Sequence, residues 1–293
     1  MYLVNTKLNM PAWGITILIV LAVYVGISIA IYYLQEYFLF KPEKLPRDFR
    51  FSYENQQVDE YNLETHDGAI VNGLHFKTQR PKGVVLYLKG NSKSIKGWGK
   101  FAVDFTRHGY DVIMFDYRGF GKSTGRRSQK GIQQDLQMIY NEMKKKVDER
   151  HIILYGRSLG SGFATKLASV NNPLMLILES PYYSLKQVAA QFVPFMPLSL
   201  AMRFPLPSYK WIKYVKCPIF IIHGTNDKLI PLESSVKLSR INPDRTRLYT
   251  VIGGGHKNLS NFPPYHKMLE EIIHYKETPV NLEGSSYRKD HQK

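Results

Sequence analysis

The sequence predicts an α/β fold: a mostly parallel, eight-stranded sheet with helices on both faces, preceded by one membrane-spanning helix. Three observations carry that expectation. Residues 12–34 run for 23 positions without a charge. Beyond them, short apolar runs alternate with longer segments of helical period. One such run, His151-Ile-Ile-Leu-Tyr155, leads straight into Gly156-Arg157-Ser158-Leu159-Gly160, and a segment that reads as a helix follows.

The apolar stretch AWGITILIVLAVYVGISIAIYYL is long enough, at ~1.5 Å rise per residue, to cross the ~30 Å hydrocarbon core of a bilayer. Trp13, Tyr32, Tyr33, Tyr37 and Phe38 flank it, as suits the two interfaces. A cleaved signal peptide would need a basic leader, a shorter apolar run and a small-residue cleavage site. Here only Lys7 precedes the run, which ends in bulky Ile31-Tyr32-Tyr33-Leu34, so an anchor is expected. Lys41, Lys44, Arg47 and Arg50 follow it, and this excess of cations places the soluble domain on the cytoplasmic side. The expected organisation is an N-terminal segment 1–11, a single-pass span 12–34, a soluble domain 51–279 with a short cap near 181–214, and a polar tail 281–293.

The soluble domain opens with a hairpin, 58–65 and 69–76, turning at His66-Asp67-Gly68. Apolar runs at 84–88, 111–115, 151–155, 174–178, 219–222 and 248–252 read as further strands, and 131–147 and 234–241 as helices. Short, continuous apolar strands alternating with helices imply a parallel sheet buried on both faces. Ligands of such sheets bind at the carboxyl ends of the strands.

Composition narrows the function. Hydrophobic residues make up 44% of the chain, which excludes global disorder. Lys and Arg outnumber Asp and Glu by 40 to 24, a net charge of +16. Nucleic-acid binding would call for an RNP motif, zinc-ligand spacing or a basic heptad region, and the sequence has none, so no nucleic-acid partner is expected. With a membrane segment present, attraction to an anionic lipid surface accounts for the charge. The single cysteine, Cys217, excludes a disulfide framework and a cysteine-rich zinc site, and reads as a small buried hydrophobe. No metal or cofactor is expected.

The chemistry starts at Ser158. In Gly-x-Ser-x-Gly between a strand and a helix, the serine sits on a sharp, strained turn that leaves no room for side chains at the glycines. The following helix N-terminus adds positive potential where an alkoxide or oxyanion develops. A serine needs a base. His256, in Gly253-Gly254-Gly255-His256 after the last strand, is placed to reach it; His66, His75 and His108 come too early, and His223 is expected to brace its loop. The acid that orients the base should lie between them. Asp227, in His223-Gly224-Thr225-Asn226-Asp227, fits this place. Glu179 is the rival, read as the partner of a nearby cation. The order Ser, Asp, His differs from the chymotrypsin and subtilisin orders.

From about residue 60 to 276 the chain resembles an α/β-hydrolase-fold serine hydrolase, and in particular the membrane-anchored α/β-hydrolase-domain proteins. The resemblance rests on Gly156–Gly160, on Asp116-Tyr-Arg118-Gly119-Phe-Gly121-Lys-Ser123, on His223–Asp227 and on Gly255-His256. It implies a catalytic triad of Ser158, Asp227 and His256, with the backbone N–H groups of Asn91 and Leu159 as the oxyanion hole. It further implies hydrolysis of an ester, thioester or amide through an acyl-serine. The apolar stretch with Phe192, Phe195, Met196 and Phe204 suggests a cap over an acyl or lipid-like substrate. Asp116, Arg118 and Ser123 are expected to brace a loop. Where such proteins usually read His-Gly-Asn, this chain reads Lys89-Gly90-Asn91. The Lys89 side chain is expected to point to solvent, with an added positive potential at the oxyanion hole as the alternative. This departure also leaves open a membrane-tethered scaffold with little activity.

Overall fold

The computed structural model describes residues 11–275; residues 1–10, with Lys7, and the polar tail 281–293 lie outside the described residues. The first element is a single helix, α1 (Ala12–Leu39). Its most apolar window has no buried residue, and apolar side chains project from every side, so by length and composition it is a candidate membrane span. The helix runs five residues beyond 12–34. The extension is held by the rest of the chain: Gln35 is buried, its Nε2 donating to the Ala201 carbonyl at 2.9 Å and its Oε1 accepting from the Arg203 N–H at 2.7 Å. Glu36 pairs with Arg203 at 2.7 Å and Arg127 at 3.4 Å. Phe40 then turns inward, its ring 5.0 Å from that of Phe204.

Eight strands form one sheet in the order β1-β2-β4-β3-β5-β6-β7-β8. They are β1 (Gln57–Glu64), β2 (Ile70–Lys77), β3 (Gly83–Leu88), β4 (Tyr110–Phe115), β5 (Ile152–Arg157), β6 (Met175–Glu179), β7 (Ile219–Gly224) and β8 (Thr246–Val251). The β1–β2 and β2–β4 pairs are antiparallel and the other five pairs parallel. Each sequence run lies in its strand to within about two residues. β8 starts two residues early, and the other two-residue extensions fall at the carboxyl ends of β5 and β7, where Arg157 pairs with Glu179 and Gly224 with Val251. These carboxyl-end residues carry the strands to the edge where the candidate site forms.

Alternation along the central strands sends side chains to both faces. One face packs Leu86, Leu154, Leu176 and Ile221 in a single apolar core with Leu136 and Phe163. The other packs Val85, Tyr155, Ile177 and Ile222 with Phe105 and Leu269. The helices follow their sequence logic. Two short turns, α2 (Ile95–Trp98) and α3 (Val103–Thr106), precede α4 (Gln129–Lys144). Ser128 caps α4 by accepting the Gly131 N–H, and Ile132, Leu136, Ile139 and Met143 form its buried stripe. Then come α5 (Leu159–Ala168), the short helices α6 (Leu185–Ala190), α7 (Leu198–Ala201) and α8 (Ser208–Trp211), α9 (Glu233–Ser239) and α10 (Pro263–Ile273). Helices α6 to α8 occupy the stretch expected to form a cap.

Candidate active site

Ser158 stands between β5 and α5 with φ +52 and ψ −118, a conformation an L-residue enters only under strain. Backbone bonds impose it: the Ser158 N–H donates to the Glu179 carbonyl at 2.9 Å, and its own carbonyl accepts from the Ser161 N–H at 2.9 Å. Crowding explains the second glycine of the motif. A Cβ on Gly160 would lie 2.0 Å from the Leu88 carbonyl oxygen and 2.7 Å from that of Lys89.

The structure brings the three sequence candidates together. Ser158 Oγ lies 2.8 Å from His256 Nε2, and His256 Nδ1 lies 2.7 Å from Asp227 Oδ2. A carboxylate only accepts, so Nδ1 carries the proton and leaves the Nε2 lone pair facing the serine hydroxyl. Asp227 is fixed through its other oxygen, which accepts the Leu229 and Ile230 N–H groups at 2.9 Å. Burial alone would raise its pKa, but hydrogen bonds from His223 and His256 outweigh this and hold it well below the usual carboxylate range. His223 does brace this loop: Nδ1 meets Ser235 Oγ at 2.6 Å and Nε2 meets the Ile230 carbonyl at 2.9 Å. The His256 loop is tied to the Asp227 loop by Asn226 N–H to Gly254 O, 2.8 Å, and Gly253 N–H to Thr225 Oγ1, 2.9 Å.

Glu179 stays out of this relay. It pairs with Arg157 at 2.9 Å and accepts from the hydroxyls of Tyr155 and Tyr265. Arg157 was not singled out in the sequence, yet it links two parts of the site: it adjoins Ser158 and donates from Nη2 to the Lys257 carbonyl at 3.2 Å, next to His256. The signal available was an arginine inside the Gly-x-Ser-x-Gly pentapeptide and an acid ending the next strand. His75 is taken up by Asp111 at 2.7 Å, and His66 lies in the β1–β2 turn. His108, Glu270 and His274 bring ligand atoms within 4.8 Å of one another, none of them lines the cavity at Ser158, and His108 Nε2 already accepts from the Arg107 guanidinium.

Asn91 sits on the loop after β3. A Cβ on its neighbour Gly90 would lie 3.8 Å from Ser158 Cβ, so the loop passes beside the serine. Among the described residues, neither the Asn91 nor the Leu159 backbone N–H has a hydrogen-bond partner. The rest of Asn91 is committed to the chain that follows α1. Its Nδ2 donates to the Leu39 carbonyl at 2.7 Å and its carbonyl accepts the Lys41 N–H at 2.9 Å. The Lys93 N–H returns to the Lys41 carbonyl at 2.9 Å.

The solvent-facing expectation for Lys89 is corrected by the structure. Its side chain is fully buried, with Nζ 3.3 Å from Asp116 Oδ1, 3.2 Å from the Lys93 carbonyl and 3.8 Å from the centre of the Phe120 ring. An acid deep in the loop brace draws the ammonium inward, and Asp116 in turn accepts the Ile95 N–H. Burial lowers the Lys89 pKa to about 8, against the opposing pull of Asp116. Burial also raises Asp116 to about 6, opposed by Lys89. The rest of the expected brace is present: Arg118 binds Asp135 and Asp67 at 2.6 Å each, and Ser123 Oγ donates to the Asp116 carbonyl at 2.9 Å.

A cavity of about 180 Å³ opens on Ser158 and His256 between Asn91, Trp98, Lys100 and Lys257. A larger one, about 580 Å³, lies between the β1–β2 hairpin and α4, and none of its lining residues belongs to the Ser158 site.

Known proteins bear on this geometry. A family model described as serine aminopeptidase, S33, matches residues 79–214. An uncharacterized protein of Mycobacterium tuberculosis is 32% identical over 200 residues, 67% of this chain and 71% of that protein. The lysophosphatidylserine lipase ABHD12 of Xenopus tropicalis is 31% identical over 225 residues, 65% of this chain; the match spans 57% of the lipase's own length. Among solved structures, an esterase of Pyrococcus furiosus, Pf2001, superposes with a TM-score of 0.63 at 20% identity, covering 80% of this chain and 97% of the esterase. An α/β hydrolase of Vibrio vulnificus gives 0.63 at 20% identity, covering 76% and 82%. At such identities the structural likeness is one of fold.

Proposed function

The chain belongs to the α/β-hydrolase family, and we propose that it is a membrane-anchored serine hydrolase that cleaves a lipid-like acyl ester through an acyl-serine at Ser158. The observation that carries this reading is the relay from Ser158 Oγ to His256 Nε2 at 2.8 Å and from His256 Nδ1 to Asp227 at 2.7 Å. A substrate carbonyl enters the cavity beside Asn91 and Leu159. His256 Nε2 takes the Ser158 hydroxyl proton as Oγ bonds to the carbonyl carbon, and the carbonyl electron pair moves onto oxygen. The N–H groups of Asn91 and Leu159 stabilise that oxyanion, and each such donor is worth roughly 10²–10³ in rate. Collapse breaks the bond to the leaving group, which departs with the proton from His256. Water then attacks the acyl-serine by the same route and frees Ser158. Asp227 stays ionised throughout; it holds the tautomer and steadies the imidazolium.

One feature supports a lipid-like ester: the similar ABHD12 is by name a lysophosphatidylserine lipase. The cavity at Ser158, about 180 Å³, is smaller than the ~300 Å³ and upward typical of sites that enclose a drug-sized ligand, so in this reading it takes the reacting ester alone. In this reading α1 crosses the bilayer and the hydrolase domain lies on the cytoplasmic side. Fluorophosphonate labelling of the full-length protein tests the core of the proposal. Wild type is expected to label and Ser158→Ala to lose labelling with an unchanged thermal midpoint. A folded wild type that does not label would favour the tethered scaffold, and labelling that persists in Ser158→Ala would move the nucleophile elsewhere.

A further inference from the structure

Three large apolar side chains stand out from the segment between α6 and the end of α7: Phe192, 68% exposed, Phe195, 85%, and Leu200, 84%. Exposed apolar clusters of this kind mark interaction surfaces. Their position says which surface. Helix α7 is fastened to the end of α1 through the bonds of Gln35 to Ala201 and Arg203, and Leu200 is the residue before Ala201. The Arg203 guanidinium also reaches Glu36 and lies 5.8 Å from the centre of the Tyr32 ring.

Depth along α1 then fixes the level of α7. Trp13 and Tyr32 bracket a stretch of roughly 28 Å at ~1.5 Å per residue, close to the ~30 Å hydrocarbon thickness. Aromatic residues of that kind settle at the two membrane–water boundaries. Tyr32 to Glu36 therefore stand at the domain-side boundary, and α7 stands there with them. A cation adjoins the patch, since Lys186 Nζ donates to Ser199 Oγ at 2.7 Å.

We propose that Phe192, Phe195 and Leu200 form a second membrane contact, dipping into the same leaflet from which α1 emerges. The proposal rests on the reading of α1 as a bilayer span. The contact holds the domain at one fixed orientation to the lipid surface, with Lys186 facing anionic headgroups. Apolar tips beside cations are the chemistry by which interfacial segments bind such membranes.

Site-directed fluorescence tests it on the full-length protein. Phe195→Cys and, as a control, Lys145→Cys beyond the far end of α4 are each made in a Cys217→Ala background and labelled with an environment-sensitive nitrobenzoxadiazole dye. Each is reconstituted into vesicles of phosphatidylcholine and phosphatidylglycerol. Position 195 is expected to show a blue-shifted emission that lipids spin-labelled near the headgroup quench, while position 145 keeps the emission of a dye in water. Water-like emission at 195 from protein that resists carbonate extraction would overturn the contact and leave the span standing; a second copy or a protein partner would then be the occupant. Release by carbonate would overturn both.

Discussion

Gly160→Ala would place a methyl group where the end of β3 already lies. The added Cβ would stand 2.0 Å from the Leu88 carbonyl oxygen, 2.6 Å from its carbon and 2.7 Å from the Lys89 oxygen. An ordinary carbon–oxygen contact is about 3.3 Å or longer, so the two backbones must part by roughly 1 Å. Helix α5 has little room to move, because Phe163, Ala164 and Leu167 are buried in the core. Leu88 is paired to Gly156 in the ladder, so the shift passes into Lys89-Gly90-Asn91, the loop that carries one proposed oxyanion donor. Overpacking of this kind costs about 1–3 kcal/mol. In a domain of this size that lowers the thermal midpoint by roughly 2–12 °C. A misplacement of about 1 Å costs on the order of 10² in rate. The loss should fall on kcat with KM little changed, since the oxyanion exists only in the transition state. Full-length protein in detergent, turning over a p-nitrophenyl ester, supplies both constants, and differential scanning fluorimetry supplies the midpoint. A variant with wild-type kcat and wild-type midpoint would refute the reasoning, because it would mean that the loop yields freely and positions nothing.

Asp227→Asn should lower kcat by about 10⁴, because an amide in place of the carboxylate favours the wrong His256 tautomer; wild-type turnover there, with loss in Glu179→Gln, would hand the acid role to Glu179. Lys89→Met tests the buried pair through pH. Lys89 releases its proton near 8 in the folded protein and near 10.5 when unfolded, so between these values the unfolded chain holds the extra proton and stability climbs as pH rises. Urea titrations should lose that climb in the methionine variant, and an undiminished climb would place the titration in another group. For the anchor, full-length protein should stay in the pellet after carbonate and high-salt washing, since salt screens adsorption of a +16 chain but leaves an apolar span in place. Its appearance in the supernatant would count against the span.

Much of this architecture is legible because its signals are local. The alternation of apolar runs and helix-period segments needs only neighbouring residues to be read, and so does Gly-x-Ser-x-Gly after a strand. His256 and Asp227 were found by their position after successive strands, and the structure places their side chains 2.7 Å apart. What was not legible depends on partners distant in sequence. The inward course of Lys89 is set by Asp116, on the far side of β4 in the chain. The added turn of α1 is stabilised by Ala201 and Arg203, about 166 residues away. Hydropathy marks where the apolar run stops, and packing decides where the helix does. Arg157 escaped notice because its two partners, Glu179 and the Lys257 carbonyl, meet only when β5, β6 and the His256 loop are assembled.

The bonds joining Leu39 and Lys41 to Asn91 bear on how the protein can be handled. A shorter version made by cutting just before the hairpin, near residue 51, would discard more than the apolar run 12–34. It would remove the carbonyl that holds the Asn91 side chain and the N–H that holds its main chain. It would also pull Phe40 from between Phe120 and Phe204, baring the apolar surface of both rings. A shortened chain that keeps these contacts must therefore begin upstream of Tyr32, inside the helix, since the Tyr32 ring itself lies under the Arg203 guanidinium.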